Sequence, residues 1–370
     1  MIQARSNQAP AGRMVIDGQE VAFRRGETIL DAASRAGRDI PTLCHDSRLK
    51  PNGCCRMCLV EIEGWPRMAP ACATAAGDGA SVTTESDRID RHRRTLVSMY
   101  LSDQPEHDHV ATARPNELHA LADRFAADRD WPRLISLRPA RREDPNPFIY
   151  FNEETCILCA RCTRYCDEVE GVSAITLAGR GPETTIATAD GLSLLDTTCE
   201  LCGGCIDVCP TGAMTEKLLI KSGARPRVEL ERVRTTCNYC GVGCQMDLLV
   251  DRVVDGGRGQ VVAVDSPPPG TTVNDGNLCV KGRFAYEFIH HEERLTAPMI
   301  RGDDGQLHEA SWEDAIAAAA AGLLGVRERH GADALGLVSS SRCTGEENYL
   351  VQKFARAVMG TNNVHQCAAT

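Results

Sequence analysis

Eight cysteines fall in two matched runs. The first reads Cys156-x2-Cys159-x2-Cys162-x3-Cys166 and the second Cys199-x2-Cys202-x2-Cys205-x3-Cys209, closed by Pro210. Gaps of two residues let three thiolates of one run wrap a single [4Fe-4S] cube, while the fourth cysteine of that run reaches the other cube. One cube therefore takes Cys156, Cys159, Cys162 and Cys209, and the other takes Cys199, Cys202, Cys205 and Cys166. A structural zinc site needs one set of four, usually two distant Cys-x2-Cys pairs, and leaves the doubling unexplained. Soft sulfur ligands around a redox-active metal make the chemistry of this segment the movement of single electrons.

Two further sets flank the runs. Cys44-x10-Cys55-x2-Cys58-x13-Cys72 lies in a loop bearing Pro51 and Gly53, and suits a [2Fe-2S] cluster. Cys237-x2-Cys240-x3-Cys244-x34-Cys279 leads directly into Val280-Lys281-Gly282-Arg283, and its longer gaps set it apart from the ferredoxin runs. Sixteen of the 19 cysteines are thereby assigned, leaving Cys54, Cys343 and Cys367. Cys54 stands beside Cys55 and reads as a small spare side chain, and Cys343 reads as packing.

The elements that must position these residues are partly visible. MVIDGQEVAFRRG alternates around Asp17-Gly18, which predicts a hairpin, and a helix follows from about Glu27 to Ala36, closed by Gly37. Hairpin, helix and a long cysteine-bearing loop are what a plant-type ferredoxin fold needs. Residues 86–128 read as helical, with LHALADRFAADRD as one amphipathic helix, and the Pro- and Arg-rich stretch from Trp131 to Asn146 reads as a surface linker. Between the two runs, SAITLAGRGPETTIATADG reads as an inserted hairpin, and QMDLLVDRVVDGGRGQVVAVDS as a small β unit. Ser311-x-x-Asp314 caps an alanine-rich helix running to about Arg329, with His330 and Gly331 at its end. ALGLVSSS then reads as a buried strand of the parallel kind, CTGEEN as a loop and YLVQKFARAVMG as a second helix. A loop leaving the carboxyl end of such a strand is where an α/β domain binds a ligand.

The resulting fold class is α+β multidomain. Residues 1–85 form a [2Fe-2S] β-grasp domain, 86–146 a helical linker domain, 147–224 a two-[4Fe-4S] module, 225–290 a small β cluster domain, and 291–370 the first βα unit of an α/β domain. Forty-one basic against 51 acidic residues, without a basic stripe, argue against a nucleic-acid partner. The sequence shows no apolar run of membrane length and no hydrophobic leader, which places the chain in the cytoplasm, where free thiolates survive. No glycine-rich dinucleotide fingerprint follows a strand, so NAD and flavin are expected on a partner.

These motifs resemble known families. The Cys44 to Cys72 spacing is similar to that in the N-terminal domain of the large iron-sulfur subunit of NADH-quinone oxidoreductase and of related hydrogenases and formate dehydrogenases. The Cys237 to Cys279 set resembles the N-terminal cluster domain of molybdopterin-dependent oxidoreductases. SSSRCTGEENYLVQKFARAVMGTNNV and NLCVKGRFAYEFIHHEERLTAPMIR resemble the catalytic domain of formate dehydrogenase alpha subunits. The likeness to the alpha subunit of a cytoplasmic, NAD-linked formate dehydrogenase covers nearly the whole chain in the same domain order. It implies formate oxidation at a Mo- or W-bis(molybdopterin guanine dinucleotide) centre. Electrons would then leave singly through one [2Fe-2S] and three [4Fe-4S] clusters toward a flavin- and NAD-binding diaphorase-type subunit. It also puts Lys281 between the last cube and the pterin, where an ammonium steadies an arriving electron.

The resemblance has two departures. Where the family carries a His-x3-Cys-x2-Cys-x5-Cys set, this chain reads LSDQPEHDHVATARPNELHAL, without cysteine, so a scaffold without its cluster is expected and His107, His109 and His119 read as surface histidines. By the family register the cysteine or selenocysteine that ligates molybdenum or tungsten falls just past Thr370, and Cys367 matches an earlier, non-ligating cysteine. The expectation is thus the N-terminal part of an alpha subunit, cut before its α/β sheet is complete, with no catalytic residue within the chain. The competing readings are the large subunit of NADH-quinone oxidoreductase and a stand-alone electron-transfer or assembly module. The stretch from Cys343 to Tyr349 favours the formate enzyme.

Overall fold

The computed structural model describes residues 9–105, 116–130, 143–254 and 257–367. Strands β1 (Gly12–Ile16) and β2 (Gln19–Phe23) pair antiparallel about Asp17 and Gly18, whose φ values of 48° and 77° form the twisted two-residue turn expected of Asp-Gly. Helix α1 (Ile29–Arg35) starts two residues later than the sequence suggests, because Thr28 and Asp31 close a capping box there. Strands β3 (Leu59–Ile62), β4 (Ala69–Pro70) and β5 (Ser81–Thr83) complete a sheet of order β2-β1-β5-β3-β4, in which β1 and β5 run parallel. Met14, Ile16, Val21, Val60 and Val82 meet Ile29 and Ala33 of α1 in one core. The long loop between α1 and β3, together with Cys72 just beyond β4, carries the first cysteine set.

Helices α2 (Asp87–Leu101) and α3 (Glu117–Arg124) form the next layer. Arg93 of α2 is 1% exposed and donates to the carbonyls of Met57 and Leu59, fixing the helix to the strand that follows Cys58. His119 is half-buried on α3, whereas His107, His109 and the linker up to residue 142 lie outside the described residues.

In the following unit β6 (Ile149–Phe151) pairs antiparallel with a later strand, β9 (Met214–Glu216). Between them run α4 (Arg161–Glu168), the hairpin of β7 (Thr176–Ala178) and β8 (Thr185–Ala187), and the short α5 (Gly204–Asp207). Helices α4 and α5 approach so closely that a Cβ on Gly204 would lie 1.9 Å from the Tyr165 ring, so only glycine fits. Helix α6 (Lys217–Ser222) leads out.

Asp144 straps this unit together. It accepts from the backbone of Asn146 at 2.8 Å and Leu194 at 2.9 Å, and from the Ser193 hydroxyl at 2.9 Å. Its partial burial favours the neutral acid, but these hydrogen bonds outweigh burial and hold the carboxyl below its ordinary range. A depressed folded pKa contributes stability above the unfolded value of about 3.9, lost as pH falls through the folded one. Asp144→Asn is therefore expected to lower the unfolding midpoint at pH 7, and the gap from wild type should close progressively below about pH 4. A gap independent of pH would show that the carboxylate charge is not what the strap uses.

Strands β10 (Glu231–Thr236), β11 (Gln245–Asp251) and β12 (Gln260–Asp265) form an antiparallel sheet, followed by α7 (Val280–Phe284). After the hairpin of β13 (Met299–Arg301) and β14 (Leu307–Glu309) come α8 (Trp312–His330), β15 (Leu337–Ser340), α9 (Gly345–Phe354) and β16 (Val364–Cys367). Ser311 caps α8 and Gly331 ends it, as the sequence suggests. Strands β15 and β16 pair in parallel, but β15 is not buried: Val338 is 73% exposed. The apolar run that reads as a covered strand pairs only with β16 among the described residues. No helix in the described residues is long and apolar enough to cross a membrane.

Candidate iron-sulfur sites

The two central runs are bent identically. Leu158 and Leu201, each one residue before the second cysteine of its run, have φ of 55° and 53°, and Ala160 and Gly203, one residue after it, have φ of 58° and 76°. A residue with a Cβ costs about 1–2 kcal/mol in this region. The bend turns backbone N–H groups onto sulfur, making concave nests of the kind that hold anions. Leu158 donates to Cys156 Sγ and Leu201 to Cys199 Sγ, both at 3.4 Å, and Gly204 donates to Cys202 Sγ at 3.4 Å. Ala174 reaches Cys166 Sγ at 3.2 Å and Met214 reaches Cys209 Sγ at 3.4 Å.

The sulfurs surround two cavities. One is lined by Cys156, Cys159, Cys162 and Cys209, the other by Cys166, Cys199, Cys202 and Cys205. Each cavity thus borrows one cysteine from the other run. Among the described residues no three His, Cys, Asp or Glu side chains converge as the ligands of a single ion would. Four sulfurs facing across a cavity instead suit a cluster held by four thiolates. Burial pushes the Cys159 and Cys202 thiols up to about 12, and those of Cys162 and Cys205 well above their ordinary value. Loading these cavities with iron would therefore have to displace protons, which would tie ligation to pH and to folding.

In the first set Cys44, Cys55, Cys58 and Cys72 are each at most 2% exposed. The Cys58 thiol hydrogen-bonds Cys72, which lowers it to about 7 against the opposing effect of burial. Cys44 hydrogen-bonds both Cys54 and Cys55. Cys54 is not a bystander: its Sγ also reaches the Cys159 carbonyl at 3.7 Å. Ile157 and Cys159 share an apolar core with Cys44, Cys55 and Met57, and Arg164 of α4 donates to the carbonyls of Cys44 and Lys50. The first loop therefore adjoins the cavity of Cys156.

The last set adjoins the other cavity. Cys237, Cys240 and Cys244 lie at the turn between β10 and β11, with the Cys237 amide on the Cys244 carbonyl at 2.8 Å, and Cys279 immediately precedes α7. Lys281 is exposed on α7. Arg342, in the loop leaving β15, lies over the Tyr239 ring at 5.6 Å, which brings that loop and Cys343 beside the cysteine turn. On the far side, Phe284 of α7 stacks on Phe148 with ring centres 4.5 Å apart, and Arg283 pairs with Asp207 of α5. The Tyr165 hydroxyl, on α4 between Cys162 and Cys166, donates to Asn277 Oδ1 at 2.6 Å. Arg48 donates to the same oxygen at 3.3 Å and lies over the Tyr165 ring at 4.9 Å. One junction thus joins three cysteine-bearing units, a contact that no local motif announces.

Four family models match the chain in order. They are a 2Fe-2S iron-sulfur cluster binding domain at residues 13–87 and the ferredoxin-like domain of NADH-quinone oxidoreductase subunit 3 at 146–215. A molybdopterin oxidoreductase Fe4S4 domain at 230–291 and a molybdopterin oxidoreductase domain at 294–370 follow. The chain carries iron-sulfur and molybdopterin oxidoreductase domains. Among curated relatives, the NADPH-Fe(3+) oxidoreductase subunit alpha of Geobacter sulfurreducens is 36% identical over 95% of this chain and 40% of its own length. An NADH-quinone oxidoreductase subunit of Rhizobium meliloti is 38% identical over 95% of this chain and 40% of its own. A Staphylococcus aureus protein named "Putative formate dehydrogenase" is 26% identical over 96% of this chain and 39% of its own. The chain therefore spans about two fifths of the length of these relatives.

Proposed function

We propose that this chain is the iron-sulfur electron-transfer portion of a cytoplasmic formate dehydrogenase alpha subunit that serves a flavin- and NAD-binding diaphorase-type partner. In this reading Cys44, Cys55, Cys58 and Cys72 hold a [2Fe-2S] cluster. Three [4Fe-4S] clusters are held by the two central cavities and by Cys237, Cys240, Cys244 and Cys279. When bound, the clusters supply one-electron redox chemistry. The protein contributes mostly buried or half-buried thiols, with Cys279 exposed, amide donors on several of their sulfurs, and contacts that hold the sites in a fixed sequence. The observation that carries the reading is the pair of adjoining four-cysteine cavities, one beside the Cys44 loop and the other beside the helix that follows Cys279. Lys281 is the residue proposed to steady charge between that last site and a pterin. No residue of the chain is assigned to ligate molybdenum or tungsten.

Formate as substrate rests on the stretch from Cys343 to Tyr349 and on the name of the Staphylococcus relative. The Rhizobium relative supports a second reading, the large iron-sulfur subunit of an NADH-quinone oxidoreductase. Metal analysis of anaerobically purified protein, beside a formate-to-dye assay, tests the proposal. About 14 irons per chain (one two-iron and three four-iron clusters), no zinc, no molybdenum or tungsten and no formate turnover are expected. A colourless zinc protein would overturn the cluster assignment. Iron near 18 would place a further cluster in residues 86–146, and molybdenum or tungsten with turnover would overturn the placing of the catalytic ligand. In a complex purified with its partners, dye reduction by formate supports the first reading, and reduction by NADH alone supports the second.

A further inference from the structure

Arg283 is the one fully buried cation on α7, its side chain 0% exposed. Four of its five N–H groups face named acceptors. Nη1 donates to Asp207 Oδ1 at 3.0 Å and to the Val264 carbonyl at 3.1 Å, and Nη2 donates to Asp207 Oδ2 and to the Ser266 hydroxyl at 2.7 Å. The fifth, Nε–H, is buried with no hydrogen-bond partner. A buried donor left unpaired is costly, so its surroundings are informative. A Cβ built on Gly203 would stand 3.1 Å from Arg283 Nε, which puts the unpaired donor against the peptide between Cys202 and Cys205. Gly203 itself lines the cavity of Cys166, Cys199, Cys202 and Cys205. Glu170 lines the same cavity and bears on the Cys202 thiol from within it, an acid set near the same sulfur.

We propose that Arg283 is a positioning residue for the cluster in this cavity: it raises that cluster's reduction potential by presenting a buried positive charge and an N–H donor to the Cys202 side of the site. The inference rests on the cluster reading above. Net charge and hydrogen bonds to sulfur are what the protein uses to set such potentials, and groups beyond the ligands act through them. Because Arg283 stands four residues after Cys279 and Asp207 two after Cys205, one ion pair sits between two neighbouring sites.

The test is an anaerobic EPR redox titration of the whole chain, following the signal that disappears in Cys166→Ala. Arg283→Gln is expected to make that cluster at least tenfold harder to reduce, about 59 mV lower for a one-electron couple. Arg283→Lys keeps the charge but loses the planar donor and should fall between. Asp207→Asn removes the anion and leaves the cation, so it should shift the same signal upward. A structural role alone predicts no such reversal of sign. Unmoved potentials in both Arg283 variants overturn the proposal, and so does loss of the cluster from both, since Arg283 would then be needed for assembly. A wild-type chain with no signal sensitive to Cys166 overturns the cluster reading instead.

Discussion

Replacing Cys209 with alanine is expected to remove about four irons from the site of Cys156, Cys159 and Cys162, leaving the rest of the run in which Cys209 stands intact. Cys166→Ala should do the reverse and empty the site of Cys199, Cys202 and Cys205. The reason is geometric. Helix α4 carries Cys162 and Cys166 one turn apart on one face, about 6 Å along its axis, so that Cys162 lines one cavity and Cys166 the other. Thiol mapping reads the outcome. After alkylation of native protein, Cys209→Ala should show label on Cys156, Cys159 and Cys162 and protection of Cys166, Cys199, Cys202 and Cys205. Label on Cys199, Cys202 and Cys205 in that variant would mean that each run holds its own cluster.

The largest effect on stability is expected at Arg227. It is 2% exposed and pairs with Glu216 at 2.9 Å and with Asp265, which are themselves 2% and 3% exposed. Glu216 ends β9 of the two-cavity unit and Asp265 ends β12 of the small sheet, so this cation holds two units together. Arg227→Met keeps the bulk and removes the charge, leaving the buried Glu216 and Asp265 carboxylates without the cation they share. Arg232 still reaches Asp265 at 2.7 Å but is half exposed and compensates only in part. Removing one member of a buried pair costs about 3–5 kcal/mol. Denaturant unfolding of the iron-loaded variant should show a loss of that size. A loss below about 1 kcal/mol, the scale of a surface pair, would mean that water reaches the carboxylates.

What the sequence disclosed and what it withheld follow the range of the forces involved. The Asp17-Gly18 turn, the cap at Ser311 and the spacing of the cysteine runs are all settled within a few residues, so their signals are local; the stretch CTGEEN, read as a loop, instead begins the last helix, with Thr344 as its cap. The helix after the hairpin begins two residues beyond its expected start because Thr28, not Glu27, supplies the cap. Contacts bridging a hundred residues leave no such mark. Cys54 reads as spare beside Cys55, yet its sulfur touches the carbonyl of Cys159. Tyr165, Asn277 and Arg48 each look like ordinary surface polar residues until the fold brings them together. Val338 misleads in the opposite sense: an apolar run describes what a strand is suited to pack against, not whether that surface is covered.

The exchanged cysteines also set a timetable. Cys162 leaves the ribosome 47 residues ahead of Cys209, the residue that completes its cavity. At roughly 5–20 residues per second, that trio of thiols waits about 2–9 s without its fourth member. The second cavity, whose odd cysteine is the early Cys166, closes as soon as Cys205 emerges. The newborn chain can thus finish its later site first, and the earlier trio stays open longest to oxidants and to the wrong metal.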